Sequence, residues 1–174
     1  MGKLISITSL TVDGLIDVGN WFVSEGDHDD VVLEQWQSSA AMLTGRTTYE
    51  GFLGFWPDQT GPWAEMHKQK PKWIASRSLE GPLDWNSTAV PGDAVDGVAA
   101  LKEQMDGDLL LTGCGELART LIQHRVVDEI HFWVHPAIGG PGNRPFQGAV
   151  IPMRHLGSRS FDSGVTHLRY SPVT

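Results

Sequence analysis

Apolar positions in this chain recur at two periods, and the period switches from segment to segment. Residues 4–10 (LISITSL) are β-branched and apolar and predict a strand. Residues 11–26 are rich in Gly, Asp and Asn and read as a loop. Over roughly 30–39, Val32, Leu33 and Trp36 fall at helical spacing, with Asp27 or Asp29 available as the cap. A short buried strand over 40–44 ends at Gly45, and a second helix starts near Thr47. Pro, Gly and Trp between Gly54 and Lys72 indicate loops around one short helix at 62–69.

The alternation then becomes regular. Strands are predicted at 72–76 and 87–90, followed by an amphipathic helix over 95–105 with Val95, Val98, Leu101 and Met105 on one face. Strand 108–112, a Gly-rich turn, helix 115–124 and strand 127–136 come next. A Gly/Pro loop at 138–148 leads to a last strand pair around 158–170. Strands alternating with helices imply crossover connections, hence one α/β domain over 1–174 with a mainly parallel sheet and an antiparallel C-terminal edge.

Composition narrows the class. At 174 residues the chain can bury a core without staples, and its single cysteine can form neither an internal disulfide nor a thiolate zinc site. No apolar run approaches the roughly 20 residues that span a bilayer. Residues 1–6 fit the myristoylation spacing at Gly2 and Ser6, but they also alternate as a strand, which is the reading adopted. No secretory leader pattern follows, so a cytoplasmic protein is expected. A net charge of −8 argues against nucleic acid or anionic membrane as partner. The acid is nonetheless local. Residues 1–35 carry seven acids against one lysine, and residues 78–110 repeat that imbalance. Residues 36–77, with five basic and three acidic groups, form a mildly basic island that contains Arg46, Lys72 and Arg77. Screening confines charge effects to about 8–10 Å, so a polyanion could bind there.

Three segments carry phosphate-compatible chemistry. Thr112–Ala118 (TGCGELA) follows a strand, opens a helix and matches G-x-G-x-x-A, though an ordinary strand–helix turn would read the same. The acidic residue that a dinucleotide-binding unit places about 20 positions further is missing, because Asp128 and Glu129 precede the next strand. Leu43–Glu50 (LTGRTTYE) again gives strand, glycine and helix start, with Arg46 as a fork and Thr47 and Thr48 as hydroxyl donors. Lys72–Ser78 (KWIASRS) delivers Ser76, Arg77 and Ser78 at a strand's C-terminal end, where open α/β sheets bind ligands. Together they predict an extended, multi-phosphate ligand.

Those residues resemble a known family. ISITSLTVDGLID, the helix from Asp29, LTGRTTYE, WIASRS and LLLTGCGELARTLI are similar to the dihydrofolate reductase superfamily. VDEIHFWVHPAIGGPGNRPF is more similar to the reductase domain of the bifunctional riboflavin-biosynthesis deaminase-reductase and its stand-alone relatives. The resemblance implies a three-layer α/β/α fold and an NADPH-dependent reductase of a pyrimidine- or pteridine-like heterocycle. It implies that Gly45, Arg46, Thr47, Thr48, Ser76 and Arg77 hold the adenosine side of the cofactor. Gly113, Cys114, Gly115, Glu116 and Leu117 would cradle the pyrophosphate, with Gly113-Cys114 at the family's cis bond. Ser9 and Ile16 would lie beside the nicotinamide, under a mobile loop at 12–20. Asp29 would be the catalytic carboxylate, with a helix cap as its alternative role. Leu33 and Trp133 would line the substrate pocket, Trp21, Trp36 and Trp56 would add apolar walls, and the C-terminal strands would form a homodimer.

Departures from the family pattern leave rivals open. Lys70, a point charge, stands where folate enzymes carry an arginine, and the deaminase signature H-x-E…P-C-x-x-C is absent. A true dihydrofolate reductase and a non-catalytic NADPH-binding protein therefore remain alternatives. His131 and His135 share a strand face but have no visible third ligand, so no metal is expected. Cys114 is either a reactive thiol at a helix start or a small apolar residue in the turn.

Overall fold

Parallel strands cannot be joined by tight turns, so a helix or long loop lies between each consecutive pair of them here. The structure, a computed structural model, describes residues 2–146 and 150–173, so the end of the predicted 138–148 loop lies outside it. In chain order the elements are β1 (Leu4–Thr11), α1 (Asp27–Ser38), β2 (Ala41–Gly45), α2 (Arg46–Leu53), α3 (Pro62–Gln69), β3 (Lys72–Ala75), β4 (Pro82–Leu83) and β5 (Ser87–Ala89). There follow α4 (Ala94–Gln104), β6 (Leu109–Thr112), α5 (Glu116–Gln123), β7 (Glu129–His135), β8 (Met153–Ser160) and β9 (Thr166–Pro172). A single 3₁₀ turn at Trp56–Asp58 sits between α2 and α3.

All nine strands join one sheet in the order β4-β5-β3-β2-β6-β1-β7-β9-β8. From β5 to β7 the pairing is parallel, whereas β4 at one edge and β9 and β8 at the other run antiparallel. The expected α/β architecture with an antiparallel C-terminal edge is what the structure shows. Central strands are covered on both faces, which is why Leu109, Leu110 and Leu111 run contiguously and are all buried. On one face Ile5, Ile7, Met42, Leu110 and Trp133 meet Trp36 of α1 and Met66 of α3. On the other, Leu4, Leu43, Leu109 and Leu111 meet α4 and α5 through Val98, Leu101, Ala118 and Leu121. Among the described residues no helix is long and apolar enough to cross a membrane.

Several boundaries differ from expectation for physical reasons. α1 begins at Asp27, not near residue 30, and Gly26 (φ +135°) precedes it without a side-chain cap. Asp27 and Asp29 are therefore not caps. Asp27 accepts N–H bonds from Asp162 and Ser163 at 2.9 and 3.1 Å, tying α1 to the β8–β9 turn. α2 starts at Arg46, one residue early. β7 starts later than predicted, because Val126 N–H bonds back to Leu121 and Asp128 N–H to Leu4. β4 was not expected: it has two residues and is turned into β5 by Trp85 and Asn86, both left-handed.

Candidate functional site

Because β2, β3, β5 and β6 run parallel, their C-terminal ends open on the same edge of the sheet. The residues that follow those ends enclose a cleft of about 1230 Å³. Its walls are Gly45–Thr48, Ala75–Gly81, Thr88–Ala94 and most of Leu111–Ala118. Two helices point their N-termini at it, α2 behind Gly45 and α5 behind Gly115, and neither has a side-chain cap. Their first N–H groups are thus free for an anion, whose charge the helix dipoles favour. Gly113 has φ +98°, and a Cβ there would stand 3.6 Å from Thr48 Oγ1, so the turn demands glycine.

The charged groups are arranged at the rim. Arg46 donates through Nε to Glu50 at 2.6 Å and through Nη1 to Ser78 Oγ at 2.9 Å, which fixes its guanidinium beside the 76–78 turn. Ser76 Oγ accepts N–H bonds from Ser78 (3.2 Å) and Leu79 (3.3 Å), forming that turn. Arg77 is exposed next to it. Glu80, Asp93 and Glu116 also line the cleft, but Asp93 is engaged as the α4 cap, accepting Val95 N–H at 2.8 Å. The cleft mixes apolar wall residues such as Val90, Leu111 and Leu117 with the hydroxyls of Thr47, Thr48, Ser76 and Ser78. Such a volume exceeds the usual range of roughly 300–1000 Å³ for compact ligands and suits an extended polyanion.

Of the thirteen residues assigned from sequence to the cofactor, the cleft gathers Gly45, Arg46, Thr47, Thr48, Ser76, Arg77, Gly113, Gly115, Glu116 and Leu117. Cys114 turns inward: it is buried, and desolvation raises its thiol pKa, which is the inert rather than the reactive condition. No described peptide bond is cis, Gly113-Cys114 included. Ser9 lies on β1 opposite Trp133 of β7, away from the cleft walls. Lys72 is also withdrawn from the basic island. It is 2% exposed, donates to the Lys70 and Trp85 carbonyls, and stands 4.1 Å over the Trp85 ring, with burial lowering its pKa to about 8.

Ile16 belongs to a loop that is fastened rather than free. Val12 N–H donates to Ala137 O and Ile16 N–H to Asn143 O. Asp13 accepts from Gly139 N–H (2.8 Å) and Gly140 N–H (3.0 Å), and Asp17 accepts twice from Asn143. Leu15 is buried against Gly139 and Gly142, where a Cβ on either glycine would fall 2.3–2.4 Å from the leucine side chain.

Asp29 and Leu33 are half-buried on α1. The Asp29 carboxylate receives the indole N–H of Trp63, which stands 3.0 Å from Oδ1 and 3.1 Å from Oδ2. Trp63 belongs to an aromatic group around the buried His67, which stacks on Trp56 at 4.1 Å and pairs with Phe52 at 5.1 Å. Desolvation there lowers the His67 pKa to about 4. Trp133 is 1% exposed and stacks on His167 at 4.0 Å and 4°. Trp36 is a core residue, and Trp21 packs on His135. His131 and His135 do share a face but are separately engaged, His131 with Glu129 and Gln35, His135 with Val23 N–H. Sequence reasoning missed the 79–94 wall of the cleft and the Trp63–Asp29 bond. Pro91-Gly92-Asp93, a turn ending in a helix cap, was the legible signal for the first.

Comparison with known proteins agrees with this architecture. Residues 3–167 match the RibD C-terminal domain family. The "Uncharacterized protein YyaP" of Bacillus subtilis (strain 168) is 25% identical over 97% of this chain and 94% of its own length. A Shewanella sp. PV-4 structure named for riboflavin biosynthesis superposes with a TM-score of 0.74 at 20% identity, covering 99% of both chains. The Thermotoga maritima diaminohydroxyphosphoribosylaminopyrimidine deaminase/5-amino-6-(5-phosphoribosylamino)uracil reductase gives 0.69 at 17% identity, with 99% of this chain covering 57% of that one. The chain therefore belongs to the RibD C-terminal domain family.

Proposed function

We propose that the protein is an NADPH-dependent reductase acting on a pyrimidine- or pteridine-like heterocycle, related to 5-amino-6-(5-phosphoribosylamino)uracil reductase. The cleft carries this reading: two uncapped helix N-termini, a glycine turn and the Arg46–Ser78 pair converge on one volume of about 1230 Å³. NADPH would supply the hydride there, and the protein supplies binding, orientation and exclusion of water. Amides at the starts of α2 and α5 would hold its phosphates, while Arg46, Ser76, Ser78 and Arg77 would flank the 2′-phosphate. Asp29, in the first turn of α1, would orient the heterocycle and hold a proton near a ring nitrogen.

Lys70 argues against a folate enzyme. The residue is buried and its ammonium is turned to the Gln37 and Ser39 carbonyls at 3.0 and 2.6 Å, where two of its three N–H donors are spent. We further infer a cytoplasmic homodimer joined at β8, the terminal and mostly exposed strand of the sheet.

The test is a thermal-shift titration of NADPH and NADH on the native chain and on Arg46→Ala. NADPH should stabilise the native chain more than NADH, and Arg46→Ala should weaken NADPH about tenfold while leaving NADH within roughly twofold, the effect of one charge-assisted contact. Equal shifts for both cofactors, unaltered by the substitution, would remove the assignment. Tight NADPH binding without oxidation across a panel of heterocycles would instead support a non-catalytic binder.

A further inference from the structure

The bond between Trp63 and Asp29 has a shape that bears on which heterocycles can be recognised. The indole nitrogen is almost equidistant from the two carboxylate oxygens, so it straddles the carboxylate instead of serving one oxygen. The indole cannot easily swing away. Its ring lies 6.3 Å from that of His67, which is itself buried and stacked on Trp56, and Trp63 packs against the core on the α1–α3 face.

A carboxylate has two oxygens and about four acceptor positions. Forked donors, such as the adjacent ring N–H and amino group of a protonated 2-aminopyrimidine, use the two positions that face each other across the mouth of the carboxylate. That mouth is where the Trp63 N–H stands. What remains on Asp29 are outer positions, each fit for one N–H or O–H. A pyrimidinedione ring meets this condition through its N3–H, which is flanked by two carbonyls and has no second donor beside it.

We propose that Trp63 is a specificity-determining residue: by occupying the fork position of Asp29 it excludes 2-aminopyrimidine rings and favours pyrimidinediones. This rests on the reading of Asp29 as the substrate-facing carboxylate.

The probe is 2,4-diaminopyrimidine, with uracil as the single-donor control, measured by calorimetric titration of the intact chain in the presence of NADPH. The native chain should bind the diamino probe no more than about twofold better than Asp29→Asn does. Trp63→Phe keeps the ring and removes the N–H, and should bind the probe roughly tenfold more tightly, as expected for one hydrogen bond to a charged group. That gain should vanish in Trp63→Phe/Asp29→Asn. The proposal is overturned if the native chain already binds the diamino probe tenfold better than Asp29→Asn, a comparison that leaves Trp63 untouched. It is equally overturned if Trp63→Phe gains nothing. Turnover is not needed for either comparison, so loss of the reductase reading would show separately, as absent NADPH oxidation with every heterocycle.

Discussion

Two polar regions of this molecule use similar side chains to opposite ends. At the cleft, hydroxyls, amides and Arg46 surround open volume, held by bonds within the 76–79 turn and by the Arg46–Ser78 bond that ties that turn to the start of α2. At the β1–β7–β9 end, the polar groups consume one another. Buried Glu129 accepts from Lys3 at 2.6 Å and from both Arg169 and His131 at 3.0 Å. His131 in turn meets the Gln35 amide of α1 at 3.0 Å. Burial alone would raise the Glu129 pKa, but the bonds from His131, Lys3 and Arg169 outweigh it and hold the group at about 2. Burial lowers the His131 pKa, against the opposing pull of Glu129, and its two ring nitrogens are both engaged, Nε2 with Glu129 and Nδ1 with the Gln35 amide. Polar groups left facing a cavity are available to a ligand; the same groups closed on each other serve the fold.

The contrast can be broken most severely at Glu129. Glu129→Ala leaves the half-exposed Lys3 and Arg169 and the buried His131 without their shared acceptor, and stranding a buried polar group costs about 1–3 kcal/mol. Denaturant unfolding should show that loss, whereas NADPH affinity of the folded fraction should change less than about twofold.

Acid should act first on the desolvated histidines, two of them, His135 and His167, on β7 and β9 and the third, His67, on α3. His67, His135 and His167 are held at about 4, chiefly by desolvation, below the ordinary value of 6.5. Their unfolded forms take up protons first, so the stability they contribute is complete above pH 6.5 and is lost as pH falls toward 4. Glu129 adds a second loss only between about 4.5 and 2. Chemical denaturation from pH 7.5 to 3.5 should show a decline beginning near 6.5; a flat profile down to pH 5 would contradict the histidine assignment.

Gly113→Ala is a smaller perturbation with a mixed outcome. Left-handed backbone costs a non-glycine residue roughly 1–2 kcal/mol, and the added methyl would sit against Thr48 at the cleft wall. A lowered melting temperature together with weaker NADPH binding is expected. Smallest of all on stability is Arg46→Ala, because its pair with Glu50 is exposed and such helix pairs contribute about 0.3–0.5 kcal/mol. An Arg46→Ala chain whose melting temperature fell further than that of Glu129→Ala would reverse the distinction between the two regions.

How far the sequence could be read follows the same division. Arg46, Thr47, Thr48, Ser76 and Gly113 were legible because each lies within a few residues of a parallel strand's C-terminal end, and parallel strands bring such ends to one edge. Lys72 had the right charge in the right segment, yet it faces inward and donates to carbonyls. Trp133 had the right strand but lies beneath His167, because the β7–β9 register stacks the two rings. The 12–20 segment reads as a free loop, but Asp13 and Asp17 find their partners more than a hundred residues away.

The sequence by itself determined the parallel sheet, its antiparallel edge and three of the four segments that wall the cleft. These depend on hydrophobic period and on strand–glycine–helix chemistry, which are local. Only the tertiary structure decided that Trp63 straddles Asp29, that Glu129 gathers three donors and that the first loop is latched to residues 137–143. Apart from the Glu129–His131 bond, those contacts join groups far apart in the chain, and whether a side chain meets water, ligand or partner is set by packing and register, which no local pattern encodes.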